Sequence, residues 1–118
     1  MTVKNIDLLK CVGAMKVLCE KENIGFLTSL SISKNVREID NALENYLLQK
    51  QAVNDKYLVG GSNTQTIKSG CEEDYLREIT ELNDREVSIP IETIDAKMLA
   101  NITFPPKFIE GISFMLDV

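Results

Sequence analysis

The sequence predicts a mainly α fold with minor β structure: an N-terminal helix, a long antiparallel helical hairpin, short strand structure and a C-terminal helix. Three observations predict it. Apolar residues recur at three- and four-residue spacing through most of the chain as far as Asn83. That pattern breaks at Gly60-Gly61-Ser62-Asn63-Thr64, where two glycines and a polar run mark a reversal. The spacing then changes to two at Val87, Ile89 and Ile91.

The first helix is expected over Val3 to Lys21. Leu8, Val12, Met15 and Cys19 form its apolar stripe, and Leu9, Ala14 and Leu18 widen it. Gly13 is a weak point, costing about 1 kcal/mol relative to alanine. Asn23 and Gly25 end the helix. Phe26 to Ser33 reads as a connector, partly extended, because Leu30 and Ile32 alternate with Ser29, Ser31 and Ser33. Ser33 is a suitable N-cap for a long second helix over Lys34 to Leu58. Its seam is Val36, Ile39, Leu43, Tyr46, Val53 and Tyr57, with Lys50 at one step and Leu47 and Leu48 broadening it. Tyr46 and Tyr57 suit either an interface or a core edge, and the core edge is the reading adopted. Such a helix spans about 36 Å and requires a packing partner.

The 59–70 stretch is a flexible loop or small hairpin tip. A third helix over Cys71 to Asn83 begins at Ser69-Gly70-Cys71-Glu72, which fits a capping box. Tyr75, Ile79 and Leu82 form its stripe, with Leu76 beside it, so it pairs with the second helix across the loop. Val87 to Ile91 reads as a strand, and Pro90 places it at an edge or end. Thr93 to Asn101 forms a short helical turn, and Pro105-Pro106 opens a last helix carrying Phe108, Ile112 and Met115. The run Ile112, Phe114, Met115, Leu116 either folds back on the bundle or contacts another subunit; folding back is the reading adopted.

At 118 residues, the chain is the size of one domain, 1–118. It has no apolar run long enough to cross a bilayer and no signal-peptide pattern, so a cytoplasmic location without membrane association is expected. The net charge of −5, with no basic stripe to override it, argues against direct nucleic-acid binding. Three unpaired-looking cysteines and no histidine exclude a disulfide framework and point away from a metal site. Cys11 and Cys19 lie among apolar neighbours and read as small core residues.

Catalytic residues are not expected. General acid–base chemistry would fall to carboxylates, lysines, tyrosines or thiols, and no pair of carboxylates stands at a spacing that demands it. Cys71 is near the predicted start of the third helix, where the dipole favours a thiolate, but Glu72, Glu73 and Asp74 oppose it. Gly60-Gly61 with Lys68-Ser69 lacks the glycine spacing and preceding strand of a phosphate loop. No cofactor is expected. The exposed acidic residues Glu38, Glu44, Glu72, Glu73 and Asp74 are the candidate partner-binding positions.

The order of parts resembles that of small phage and prophage proteins of Gram-positive bacteria. Asn5 to Cys19 is similar to their opening helix. Ser31-Ile32-Ser33-Lys34-Asn35-Val36 resembles the entry to their long helix, and Glu38 to Glu44 its acidic first half. Glu81 to Ile89 resembles the acidic run into a strand, and Ile94 to Leu99 and Thr103 to Leu116 the closing segments. The central loop departs from the pattern in carrying less charge. The resemblance implies a phage origin and a compact helical hairpin, and no mechanism. The expectation is a non-enzymatic accessory protein that binds a host or phage protein, one concrete form being an inhibitor of a bacterial defence system. Two alternatives are an assembly factor self-associating through the long seam, and a nucleotide-sequestering protein using the glycine loop with Lys56 and Lys68.

Overall fold

The structure, a computed structural model, describes residues 1–60 and 66–117. Its elements in chain order are β1 (Thr2–Lys4), α1 (Asn5–Cys19), α2 (Phe26–Tyr57), α3 (Glu72–Asp84), β2 (Glu86–Ser88), β3 (Ile94–Asp95), a 3-10 turn (Ala96–Leu99), α4 (Pro106–Ile112), a second 3-10 turn (Ser113–Met115) and β4 (Leu116–Asp117). The mainly α architecture with minor β structure is therefore observed. β1 pairs antiparallel with β2, with Val3 opposite Val87, and β3 pairs parallel with β4.

Helix α2 organises the molecule. At 32 residues it is about 48 Å long, which sets the 53 Å long dimension. Its first half packs against α1 and its second half against α3. The α2–α3 hairpin is antiparallel: Tyr46 donates to Asn83 and Tyr75 to Asn54 at 2.8 Å, so partners descend on one helix as they rise on the other. Tyr46 and Tyr57 are both buried, as a core position requires.

The start of α2 corrects the expected connector. Residues 26–33 are helical, Gly25 is the N-cap, and the Ser29 amide donates to the Gly25 carbonyl at 2.9 Å. The serine alternation imitates a strand, but burial follows the helical period. Ile32, Asn35, Ile39 and Tyr46 are the inward positions, and a polar residue at 35 hides that period from a hydrophobic pattern. Ser33 lies inside the helix, not at its cap. Leu47 and Leu48 do not broaden the seam; both are exposed.

Helix α1 starts at Asn5, not Val3, because Val3 is taken into β1. Its inward face is Leu8, Cys11, Met15 and Leu18, rotated from the expected stripe, so Val12 and Cys19 are exposed. Two neighbours on either side of α1, α2 and α4, pull the buried arc round. Asn5 replaces a hydrophobe at the entry: its Nδ2 donates to the Leu82 carbonyl at 2.8 Å and its backbone N–H to the Arg85 carbonyl at 3.0 Å. It thus adds a 2.8 Å bond to the Leu82 carbonyl, which the Arg85 amide reaches only at 3.3 Å, and gives the Arg85 carbonyl beyond the helix a partner.

Helix α3 has no side-chain N-cap, so the expected capping box does not form; Cys71 is the capping residue. Leu76 is exposed rather than beside the apolar stripe. Of the expected 59–70 loop, residues 61–65 lie outside the described residues. The flanks pair: Leu58 bridges Ile67, and the Val59 amide donates to the Thr66 carbonyl at 2.8 Å. Strand β2 ends at Ser88, short of the expected Ile91: Ile89 adds one more backbone pairing, to Met1, and Pro90 beyond it carries no N–H.

The C-terminal segment folds back. Ile112 and Met115 are buried in the main core with Leu8, Cys11, Leu18, Ile32 and Ile39. Gly111 makes that possible: a Cβ built there would stand 2.9 Å from the Ala14 Cβ and 3.1 Å from the Lys10 carbonyl. The two helices therefore cross with backbone nearly in contact.

Candidate functional site

The first turns of α2 are held from behind by one residue of the β2–β3 connection. Asn35 is fully buried; its Nδ2 donates to the Glu92 carbonyl at 2.9 Å, and its Oδ1 accepts the Glu92 amide at 2.8 Å. The Glu92 carboxylate accepts from Lys34 at 3.3 Å. The Ser31 hydroxyl and Lys34 together hold that carboxyl below its ordinary value of 4.5.

On this fixed base the outer side of α2 presents Phe26 and Leu27, 79% and 76% exposed, with Leu30 one turn on. These are positions i, i+1 and i+4, which share one side of a helix. Three large apolar side chains at one helix end are costly to keep in water, and such patches mark contact sites. A shallow dent lies beside Leu27, lined by Thr28, Ser31, Thr93, Ile94 and Asp95. Sequence reasoning placed all three residues in a connector and so missed them. The available signal was their i, i+1, i+4 spacing directly after Gly25.

The sequence-predicted acidic positions do not form one surface. Glu38 and Glu44 are six residues apart on α2, about 9 Å along the axis and about 120° around it. Glu72, Glu73 and Asp74 open α3, where the Tyr57–Tyr75 ring contact places them near the far end of α2. Glu44 is thus about 20 Å from them along the hairpin. Asp74 is paired with Arg77 at 2.9 Å. The first-turn acids complement the α3 dipole.

Other chemistry is dispersed. A cleft of about 470 Å³ lies between α1 and α4. It sets Lys10 and Lys107 against Asp7 and Glu110, so it favours neither anion nor cation. Lys56, invoked for a nucleotide site, is engaged by Glu78 at 3.3 Å. Among the described residues no three His, Cys, Asp or Glu side chains converge to hold a metal ion, and no helix is long and apolar enough to cross a membrane.

The thiols differ in environment. Burial pushes Cys11 up to about 11, against its own backbone hydrogen bonding, and its Sγ donates to the Leu8 carbonyl at 3.0 Å. Cys19 is raised by partial desolvation and by Asp40 and Glu20, yet it stays exposed. Iodoacetamide at about pH 8 is therefore expected to modify Cys19 in the folded single chain, at low protein concentration, and Cys11 only after denaturant is added, read by peptide mass spectrometry.

Two carboxylates give an acid signature. The Tyr57 hydroxyl and Lys56 hold Glu78 below 4.5, and Ser31 and Lys34 do the same for Glu92. The folded chain thus binds these protons more weakly than the unfolded chain. The stabilisation is complete above about pH 4.5 and is lost as pH falls through the depressed values. The variant Glu78→Gln/Glu92→Gln is expected to lose less stability than wild type between about pH 5 and about pH 3, measured by urea unfolding.

No known protein family, curated protein or solved structure matches the chain.

Proposed function

We propose that this chain is a non-enzymatic binding protein whose partner is another protein, docked at the N-terminal tip of α2. The observation that carries this reading is the exposed trio Phe26, Leu27 and Leu30 on a helix end fixed by Asn35, Lys34 and Glu92. Rigid aromatic and aliphatic anchors contribute most of the energy in protein interfaces. A pre-ordered helix end presents them without a further ordering cost.

The resemblance to phage and prophage proteins supports placing the partner in the bacterial host or the phage, and the chain in the host cytoplasm. Inhibition of a host defence system is the concrete form of that proposal: a small protein that occupies a partner's working surface needs no chemistry of its own. The acidic residues then act at the rim. Their dispersal over the hairpin favours a role in solubility and steering over one in anchoring.

The test compares proteins captured from bacterial lysate by the tagged wild type and by Phe26→Asp/Leu27→Asp. Both side chains are exposed, and aspartate suits the first turn of a helix, so the variant folds. A stoichiometric protein captured by wild type and lost from the variant supports the tip. Capture unaffected by that variant, but lost when Glu38, Glu44, Glu72, Glu73 and Asp74 are changed to alanine, transfers the site to the acids.

A further inference from the structure

The flank of the molecule carries a second surface, on the opposite side of α1 from α4. There Val12, Lys16 and Cys19 of α1 face Val36, Asp40 and Leu43 of α2 across a groove of about 200 Å³. The groove continues past Cys19 and Val36 into a second stretch of about 230 Å³ lined by Leu18, Ile24 and Ile32. Its walls are mainly apolar, with Lys16 and Asp40 on the first stretch and Lys21, Ser29 and Ser33 on the second. Val12 is 47% exposed although it lies within a helix packed on two sides.

The charges on the rim specify what fits. The chain reverses between the two helices, and matching the lining residues of α1 in rising order to those of α2 in falling order sets Val12 at the level of Leu43, Lys16 near Asp40 and Cys19 near Val36. Lys16 and Asp40 are both exposed, and neither makes an ion pair within the described residues. Consider a two-fold axis lying in the contact plane, parallel to the helices and midway between them. It sets α1 of one copy over α2 of the other without changing level. Each Lys16 then meets Asp40 of the partner subunit, and each Val12 meets Leu43 of the partner subunit. A second copy brings each of these charges directly against its opposite by symmetry, which an unrelated partner would have to do with charges carried in matching register. The product is an antiparallel four-helix arrangement of the kind that buries such grooves.

We propose that the α1–α2 flank is the contact face of a two-fold dimer of this chain, joined by two reciprocal Lys16–Asp40 pairs over the Val12–Leu43 groove. This does not rest on the tip reading, since the groove lies along the flank. The two proposals are compatible, because this axis presents both α2 tips at the same end and doubles their valency.

Sedimentation velocity and native mass spectrometry of the full chain over a micromolar concentration series test the dimer. Wild type is expected to reach twice the chain mass of 13.2 kDa. Lys16→Glu and Asp40→Lys, each with unchanged circular dichroism, are expected to weaken the dimer at least about tenfold, since each sets like charges together twice. The double variant Lys16→Glu/Asp40→Lys exchanges the charges and is expected to restore it. A wild type that stays at the single-chain mass overturns the proposal. So does a dimer indifferent to the single reversals, or one that the double variant fails to rescue. Loss of partner capture in Phe26→Asp/Leu27→Asp with dimerisation intact separates the failure of one proposal from that of the other.

Discussion

Replacing Asn35 with alanine is expected to destabilise the fold by about 3 kcal/mol, the largest effect of any single polar substitution in this chain. The side chain is fully buried and closes a two-way hydrogen-bonded ring with the Glu92 backbone, at 2.9 and 2.8 Å. Alanine leaves the Glu92 amide and carbonyl without that partner and opens a void against the Met115 sulfur, 3.8 Å from Nδ2. Urea unfolding should show the loss as a lower midpoint at unchanged slope, with a fall in Tm on the order of 10 °C. Asn35→Asp separates the hydrogen-bonding role from simple packing. The aspartate can still accept the Glu92 amide, but when ionised it points a charge at the Glu92 carbonyl in a buried site. Burial raises its folded pKa, so its contribution is present below the unfolded value and lost as pH rises. Its deficit relative to wild type should therefore be larger at neutral pH than at about pH 4, whereas the Asn35→Ala deficit has no such dependence of its own. An Asn35→Asp gap that does not change with pH would show that the charge at position 35 is not buried in the folded chain.

The same residue explains what the sequence revealed and what it hid. The α2–α3 hairpin was legible because Ile39, Leu43, Tyr46, Val53 and Tyr57 keep a helical period broken only at Lys50, and because a glycine pair marks the reversal. The closing segment was legible only in part: Pro105-Pro106 announces the helix start and Ile112 and Met115 are buried as expected, but α4 ends at Ile112 and Met115 reaches the core from a 3-10 turn. The first two turns of α2 were not legible. Their one buried position is Ile32; the next, Asn35, opens the third turn, and an asparagine that works by imitating a strand backbone carries no hydrophobic signal. Ser29, Ser31 and Ser33 then complete a false alternation. The rotation of α1 was hidden for a different reason. Leu8, Val12, Met15 and Cys19 satisfy the helical pattern as well as the true face does, and only the positions of α2 and α4 choose between them. The candidate docking tip inherits the first error, since Phe26 and Leu27 gain meaning only once residues 26–33 are helical. The flank inherits the second, since Val12 and Cys19 join Lys16 at the surface only when Cys11 and Leu18 turn inward.

At the α1–α4 crossing, Gly111→Val is expected to cost about 3 kcal/mol or more, and Gly111→Ala about 1–2 kcal/mol. A propensity argument alone gives the opposite sign, because alanine in a helix is favoured over glycine by about 1 kcal/mol. Contact decides against it. The added Cβ would meet the Ala14 Cβ at 2.9 Å, the Lys10 carbonyl at 3.1 Å and the Cys11 Cα at 3.4 Å. Two of those three atoms are backbone of a 15-residue helix, so they cannot turn aside. The seven-residue α4 must lift instead. Lifting it withdraws Ile112 and Met115 from the core, and the β3–β4 pairing that follows Met115 loosens with them. Gly13 is the control. A Cβ there meets only the edge of the Phe108 ring at 3.3 Å, a side chain that can swing, so Gly13→Ala should gain propensity with little offsetting strain. Pairing Gly111→Ala with Ala14→Gly removes the closest clash but leaves the Lys10 carbonyl. The double variant should therefore be less destabilised than the sum of the single changes, with a coupling of about 1 kcal/mol in urea unfolding. Strict additivity would mean that α4 does not press on α1 at Ala14. Amide exchange gives an independent reading: in Gly111→Val, protection should fall at residues 106–117 while the α2–α3 hairpin, held by Tyr46–Asn83 and Asn54–Tyr75, keeps its own.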